Sequence, residues 1–348
     1  MKTYYLHVIG CQQNEHDGVR IHHLLDKIGF QETTKEKADL IIIVACAVRQ
    51  TAVDRVFGLV NNIRKAQKNK NPKIIVTGCV IDNDKKKFKA RQVDFWDIEK
   101  PEQLAKLIDF KDQKSLSKLL REGALFSSSV PIMFGCNNFC TYCATAFTRG
   151  RERSRNIKDV ISDIKKLIER GNSEILLLGE TIDSYKDPET GETLDILFEK
   201  LNALDGDFII SFTSNHPKDM TDEIIKAVAT LPKIKKEIHL PIQSGSDKIL
   251  KAMNRPYDAK TYLKIVEKIR TSKVPIDITT DVIVGFPGED EDDFQKTVEI
   301  FKSVGYKTAY INKYSPRYGT AAYRLGDPIP WSEKQRRWRI LNDIITGK

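Results

Sequence analysis

The sequence predicts an α/β protein in two parts, an N-terminal parallel-sheet α/β domain over residues 1–125 followed by a partial (β/α)6 barrel over residues 126–348. Three observations carry this. Short apolar runs alternate with amphipathic helical stretches along nearly the whole chain. The alternation pauses over residues 111–128 and begins again at Val130. Finally, 348 residues are too many for one ordinary compact core.

In the first part, apolar runs at 4–9, 40–44 and 73–76 read as strands, followed by helical patterns such as 19–28 and 51–65. The charged stretch 82–91, with Lys85, Lys86 and Lys87, reads as a solvated loop or helix face. Residues 111–128, ending in Ser127 and Ser128, read as the passage into the second domain. Beyond it lie six strand candidates, 130–134, 174–178, 208–212, 237–242, 276–284 and 309–314, each followed by a helical pattern. Such barrels bind ligands at the C-terminal ends of their strands. Those ends carry Cys136, Glu180, Ser214, Gln243, Gly285 and Ser315, a concentration of polar groups that a purely structural edge does not need.

Hydrophobic residues make up 40% and charged residues 30%, with 13 Pro and 19 Gly, which fits a soluble globular protein and excludes disordered and fibrous classes. The start lacks a secretory leader pattern, and no apolar run approaches the roughly 20 residues of a membrane helix. A cytoplasmic protein without membrane attachment is therefore expected, and there six cysteines point to metal or catalytic roles rather than disulfides. The net charge of +9 is concentrated early: residues 1–125 hold 23 basic and 16 acidic side chains, leaving +7. This excess attracts polyanions, although it is equally common in proteins that bind no nucleic acid.

The cysteines fall into two trios with none left over. Cys136, Cys140 and Cys143 have C-x3-C-x2-C spacing just after a strand. Cysteine thiolates at short, defined spacings hold iron–sulfur clusters. Three thiolates on a four-iron cube leave one iron open, which can chelate the amino and carboxylate groups of S-adenosylmethionine. An electron passed into the sulfonium then yields a 5'-deoxyadenosyl radical. A structural zinc would want a fourth ligand, and the nearest downstream His is His216. Cys11, Cys46 and Cys79 each come two or three positions after the end of an apolar run, so a parallel sheet brings them to one edge. The alternatives there are a second [4Fe-4S] cluster with an open iron, or small buried cysteines at strand ends.

With these residues laid out, the chain resembles the methylthiotransferase family of radical S-adenosylmethionine enzymes across essentially its whole length. Cys11-Gln12-Gln13-Asn14, Cys46-Ala47-Val48-Arg49 and Gly78-Cys79 look like the family's three N-terminal cysteine motifs. The run from Arg149 to Arg155 matches R-G-x-E-x-S-R, and His239 to Ser246 matches H-L-P-x-Q-S-G-S. Ile283 to Glu289 and Ser315-Pro316-Arg317 are also family-like.

The resemblance implies a transferase with two [4Fe-4S] clusters, one on each trio. One S-adenosylmethionine supplies a methyl group to sulfur at the N-terminal cluster and another supplies the radical. Cys136, Cys140 and Cys143 are then catalytic, with Gly179, Glu180, Ser214, Gln243, Ser244 and Gly285 as cofactor-binding candidates. Cys46-Ala47-Val48-Arg49 and the Gln12, Asn14 pair are most similar to the branch that modifies C2 of N6-isopentenyladenosine in tRNA. Implied partners are the anticodon stem-loop of tRNA and an electron donor of flavodoxin or ferredoxin type, with the chain acting as a monomer. The alternatives are methylthiolation of threonylcarbamoyl-adenosine or of a ribosomal protein, or a non-catalytic iron–sulfur module that binds RNA.

There are departures from the pattern. Ala146 stands where the family often has Pro, and Glu180-Thr181 replaces its usual Gln-Asn; with Thr145 this is similar to the threonylcarbamoyl branch. Glu180 as a carboxylate can accept a hydrogen bond from the amino group of S-adenosylmethionine. The chain stops at Lys348, where the family usually continues into a small RNA-binding β-barrel, TRAM. Either that domain has been removed, or tRNA is gripped by basic surfaces such as Lys334, Arg336, Arg337 and Arg339, a run equally well read as the outer face of a last helix. His22 and His23 read as surface or packing residues, His216 as a barrel-mouth or turn residue, and Asp281 as an organiser of its neighbours. Arg149, Arg153 and Arg155 can serve anions or pair with Glu152.

Overall fold

A computed structural model describes residues 2–46, 50–68 and 70–347. The chain falls into two compact units, Met1–Val130 with Phe147–Arg149, and Pro131–Ala146 with Gly150–Lys348.

The first unit runs β1 (Thr3–Val8), α1 (Gln12–Lys27), β2 (Gln31–Glu32), β3 (Leu40–Ala45), α2 (Gln50–Ala66), β4 (Lys73–Gly78), α3 (Asp82–Lys89), β5 (Asp94–Phe95), α4 (Pro101–Leu107) and α5 (Gln113–Ala124). Its five strands form one parallel sheet in the order β2-β1-β3-β4-β5. Every residue of β3 is buried, as a central strand covered on both faces requires. Leu40, Ile42 and Val44 pack with Leu24, Trp96 and Leu116 on one face; Ile41, Ile43 and Ala45 pack with Val56, Val60 and Phe88 on the other.

Residues 111–128 are not a bare passage between domains. Asp112 caps α5 by accepting a hydrogen bond from Ser115 N, and Leu116 and Leu120 are buried in the first core. A Cβ at Gly123 would lie 2.9 Å from the Arg20 backbone, so this glycine lets α5 lie close against α1. The charged stretch 82–91 is mostly helix, its Lys85 bonded to Asp82 and lying over the Phe95 ring.

The chain continues through β6 (Ser129–Pro131), β7 (Met133–Phe134), α6 (Thr145–Thr148), β8 (Arg153–Ser154), α7 (Ile157–Glu169), β9 (Glu174–Leu178), α8 (Leu194–Asn202), β10 (Ile209–Phe212), α9 (Asp222–Thr230) and β11 (Glu237–His239). It ends with α10 (Asp247–Ala252), α11 (Ala259–Arg270), β12 (Asp277–Val284), α12 (Glu291–Val304), β13 (Thr308–Lys313) and α13 (Trp331–Thr346). The β/α alternation is the expected one. The strands form two three-stranded sheets, β10-β9-β6 and β11-β12-β13, with an isolated parallel bridge from Ile210 to Ile234.

Two strand candidates come out differently. The run 130–134 is divided at Ile132, because β7 leaves to pair antiparallel with β8, Met133 opposite Ser154. The run 237–242 stops at His239: Pro241 has no N–H to give the ladder, and Gln243 turns to φ +66°.

Candidate functional site

In the second unit, the β7–β8 pair closes the base of the loop that carries Cys136, Cys140 and Cys143. Gly135 holds φ +74°, where a Cβ would run into the carbonyls of Gly150 and Arg151, and Cys136 N donates to Gly150 O at 3.1 Å. Each thiol then meets polar neighbours. Asn138 N donates to Cys136 Sγ at 3.3 Å, and Thr181 Oγ1 lies 3.2 Å from the same sulfur. Cys143 Sγ accepts from Thr145 N at 3.4 Å. Arg255 donates from Nη1 to Cys140 Sγ at 3.5 Å, from Nε to Tyr257 Oη and from Nη2 to Pro241 O. Arg255 is only 8% exposed, and among the described residues no carboxylate lies within ion-pair distance of it, Asp183 and Asp219 acting on it only at longer range. A buried charge of that kind needs an anion, and a thiolate cluster is one.

The strand ends carry the expected groups and show why those residues are there. Gly179 follows β9, and a Cβ on it would lie 2.6 Å from the Met133 side chain; Glu180 comes next. Ser214 and Gln243, past β10 and β11, take φ of +68° and +66°, an uncommon backbone region for side-chain-bearing residues that is often found at ligand sites. Gln243 is anchored by Gln243 N to Asp281 O and by Ile283 N to Gln243 O. Ser244 is fully buried and accepts at Oγ from Ser246 N, while Ser246 caps α10 and donates to Asp293. Gly285 N donates to the carboxylate of Glu289, which is buried against Arg337 at 2.7 Å.

Asp281 does organise its neighbours. It accepts from His239 Nε2 at 2.9 Å and from Asn312 Nδ2 at 3.3 Å, while His239 Nδ1 meets Thr279 Oγ1 and Tyr310 stands edge-on to the imidazole. His239 opens the H-L-P-x-Q-S-G-S run, whereas Asn312 and Tyr310 belong to no motif of the sequence. Their alternation with Asp281 across β11, β12 and β13 was the available signal. His216 takes the turn role: its N–H reaches both oxygens of Asp183, and burial, with Arg255 and Lys218 nearby, pulls its pKa down to about 2.

In the first unit the order β2-β1-β3 reverses direction between β1 and β3, the switch point where open α/β sheets take ligands. Cys11 follows β1 and sits at the N-cap of α1, Cys46 follows β3, and Cys79 follows β4. Asn14 is fully buried and donates to both Ile9 O at 3.0 Å and Ala45 O at 2.9 Å, tying the two strand ends together. Gly78, at φ +91°, comes so close to β3 that a Cβ would lie 2.6 Å from Ala45 O. Arg149, in this unit, donates from Nε to Cys79 Sγ at 2.9 Å.

None of the six thiols is joined in a disulfide, and within each trio two thiols raise the pKa of the third. Burial pushes Cys79 up to about 12, with Cys11 and Cys46 adding to the rise and Arg149 opposing it; Cys143 is raised by burial and by Cys140 and Cys136. Among the described residues no three His, Cys, Asp or Glu close on one point as ligands of a single metal ion. A cube has a different demand, since each thiolate takes its own iron and the sulfurs stand apart. Each donor set is three cysteine thiols, the donor type that an iron–sulfur cube takes.

Comparison with known proteins agrees with this geometry. The family model described as radical SAM superfamily matches residues 130–301, and the one described as uncharacterized protein family UPF0004 matches residues 3–96. The chain is 38% identical to the tRNA-2-methylthio-N(6)-dimethylallyladenosine synthase of Carboxydothermus hydrogenoformans, over 99% of this chain and 84% of that one. It is 39% identical to the enzyme of the same name from Caldicellulosiruptor saccharolyticus, over 99% and 78%. The chain belongs to this family. It is therefore an enzyme, a radical SAM transferase of sulfur-containing groups, and the superfamily carries a [4Fe-4S] cluster and S-adenosylmethionine.

Among solved structures, the fold is similar to TsrM, a radical S-adenosylmethionine methyltransferase from Kitasatospora setae, with TM-score 0.60 and 10% identity over 93% of this chain and 77% of that one. It is also similar to the cobalamin-dependent radical enzyme OxsB, with TM-score 0.59 and 12% identity over 99% of this chain. This chain spans 56% of that structure.

Ala47, Val48 and Arg49 lie outside the described residues. The basic run of α13 is largely occupied: Lys334 is buried against Tyr314 O and Asp327, Arg337 pairs with Glu289 and Glu333, and Arg336 pairs with Glu333 and Glu291. Helix packing accounts for Lys334 and Arg337, while Arg336 and Arg339 are exposed. No helix among the described residues is long and apolar enough to cross a membrane.

Proposed function

We propose that this chain adds a methylthio group to C2 of N6-isopentenyladenosine beside the anticodon of tRNA. Cys136, Cys140 and Cys143 would hold the cluster that cleaves S-adenosylmethionine, and Cys11, Cys46 and Cys79 a second [4Fe-4S] cluster at which sulfur is methylated. One observation carries this reading: six disulfide-free cysteines gathered as one trio in each unit, in a chain 38% identical to relatives of that name.

When bound, the cofactors supply a 5'-deoxyadenosyl radical able to take an unactivated hydrogen. The protein's part is to bind, orient and neutralise. Gly179, Glu180, Ser214, Gln243, Ser244 and Gly285 are assigned to S-adenosylmethionine, with Glu180 accepting from its amino group. The support is their placement at the C-terminal strand ends of the unit that holds the radical trio. Arg255 balances negative charge at Cys140, and Thr181 and Asn138 fix Cys136. The partners assigned are the tRNA anticodon stem-loop and a small flavodoxin- or ferredoxin-type donor, with one chain acting alone in the cytoplasm.

The test is anaerobic reconstitution, reduction, and incubation with S-adenosylmethionine and tRNA that carries isopentenyladenosine. The expected result is 5'-deoxyadenosine together with the 2-methylthio nucleoside in the tRNA digest. A methylthio adduct on threonylcarbamoyl-adenosine instead would move the assignment to the branch that Glu180-Thr181 resembles. Intact clusters with no 5'-deoxyadenosine would leave a non-catalytic RNA-binding module.

A further inference from the structure

The Arg149 side chain is 11% exposed, and within the first unit its guanidinium reaches Cys79, Asn14 and Asp17. Nε donates to Cys79 Sγ at 2.9 Å, Nη2 to Asn14 Oδ1 at 3.3 Å, and Nη1 and Nη2 to Asp17 Oδ2 at 3.4 and 3.5 Å. Asp17 is 1% exposed and is shared, accepting on Oδ1 from Arg20 at 3.1 Å and from Gln13 at 3.4 Å. A cation therefore touches a ligand sulfur on one side and a buried carboxylate on the other.

We propose that Arg149 and Asp17 form a charge pair that sets the reduction potential of the cluster held by Cys11, Cys46 and Cys79. Arg149 raises the potential through its hydrogen bond to Cys79, and Asp17 restrains that rise. Reduction adds one electron to an already anionic cluster, and an N–H donated to a ligand sulfur stabilises the more negative state. Burial strengthens the effect, because little water is present to screen it. The carboxylate behind the guanidinium opposes it with the other sign. Arg149 is thus a positioning and charge-balancing residue that acts through Cys79. The inference rests on the proposed assignment of a second cluster to this trio.

The test is an anaerobic redox titration followed by electron paramagnetic resonance. It uses the full reconstituted chain with Cys136, Cys140 and Cys143 changed to Ala, so that one cluster contributes. Arg149→Met is expected to disfavour reduction by about tenfold, a fall of about 59 mV for one electron. Arg149→Lys should fall less, and Asp17→Asn should shift the potential upward. Opposite signs from two touching residues are not what a merely structural role gives. Unchanged potentials, or shifts of one sign in both variants, overturn the inference. Should Arg149→Met fail to retain iron, Asp17→Asn decides alone, a rise supporting the pair and anything else contradicting it. A background chain without iron would instead overturn the cluster assignment itself, a failure distinguishable from invariant potentials.

Discussion

Cys136, Cys140 and Cys143 sit in one loop closed by a two-strand clasp, whereas Cys11, Cys46 and Cys79 come from three separate strand ends. The first arrangement is local. The second exists only while β1, β3 and β4 keep their order and register. The charge settings differ as well. Arg149 shares its charge with the buried Asp17, while Arg255 spends its hydrogen bonds on Cys140, a tyrosine hydroxyl and a carbonyl. Asp183 and Asp219 feel Arg255 only at longer range, and burial pushes both carboxyls up. The contrast teaches that one trio is protected by sheet topology and a neutralised pair, the other by a loop and an unbalanced cation.

The sharpest break in this comparison is at Arg255. With Arg255→Met, reductive cleavage of S-adenosylmethionine is expected to fall by about tenfold or more, and iron at Cys136, Cys140 and Cys143 to drop. The iron-free variant should be no less stable than the iron-free parent, because the cation it loses lacks its anion there. Chemical denaturation with and without reconstitution checks this, and a variant weakened equally in both forms would contradict it.

Asn14→Ala probes the other trio. It strips a donor from two strand-end carbonyls, Ile9 O and Ala45 O, and should cost about 3 kcal/mol in urea unfolding while leaving 5'-deoxyadenosine formation in place. Loss of that activity in a folded variant would show that the trios do not have separate roles.

Smaller effects come from the glycines before the cysteines. Gly78→Ala and Gly135→Ala combine positive φ with backbone collision and should each cost about 2 kcal/mol. Gly171→Ala, at φ +83° with open space around it, should cost about 1 kcal/mol by the same measurement. Equal costs at all three would mean that the close approach at the cysteines contributes nothing.

The trio of Cys136, Cys140 and Cys143 was legible because its spacing is local, and that of Cys11, Cys46 and Cys79 because strand-end cysteines in a parallel sheet share an edge. The role of Asn14 was not legible: its amide spans carbonyls on two strands, and only the assembled register shows that distance. Residues 113–124 were missed as a helix because Lys and Ser dilute the apolar spacing of Leu116 and Leu120, yet packing on α1 buries those two leucines. Lys334, Arg336 and Arg337 of α13 looked available because sequence shows charge and not pairing. Glu289 and Glu291 belong to the segment before and within α12, too far along the chain for a local reading to connect.

The most direct measurement of the central claim is the chain with Cys11, Cys46 and Cys79 all changed to Ala, reconstituted beside the parent and assayed for iron, 5'-deoxyadenosine and methylthiolated nucleoside. Two independent trios require about eight irons in the parent and about four in the variant. The variant should still form 5'-deoxyadenosine but no methylthiolated product. A variant that keeps all its iron, or one that can no longer cleave S-adenosylmethionine although folded, would contradict the account.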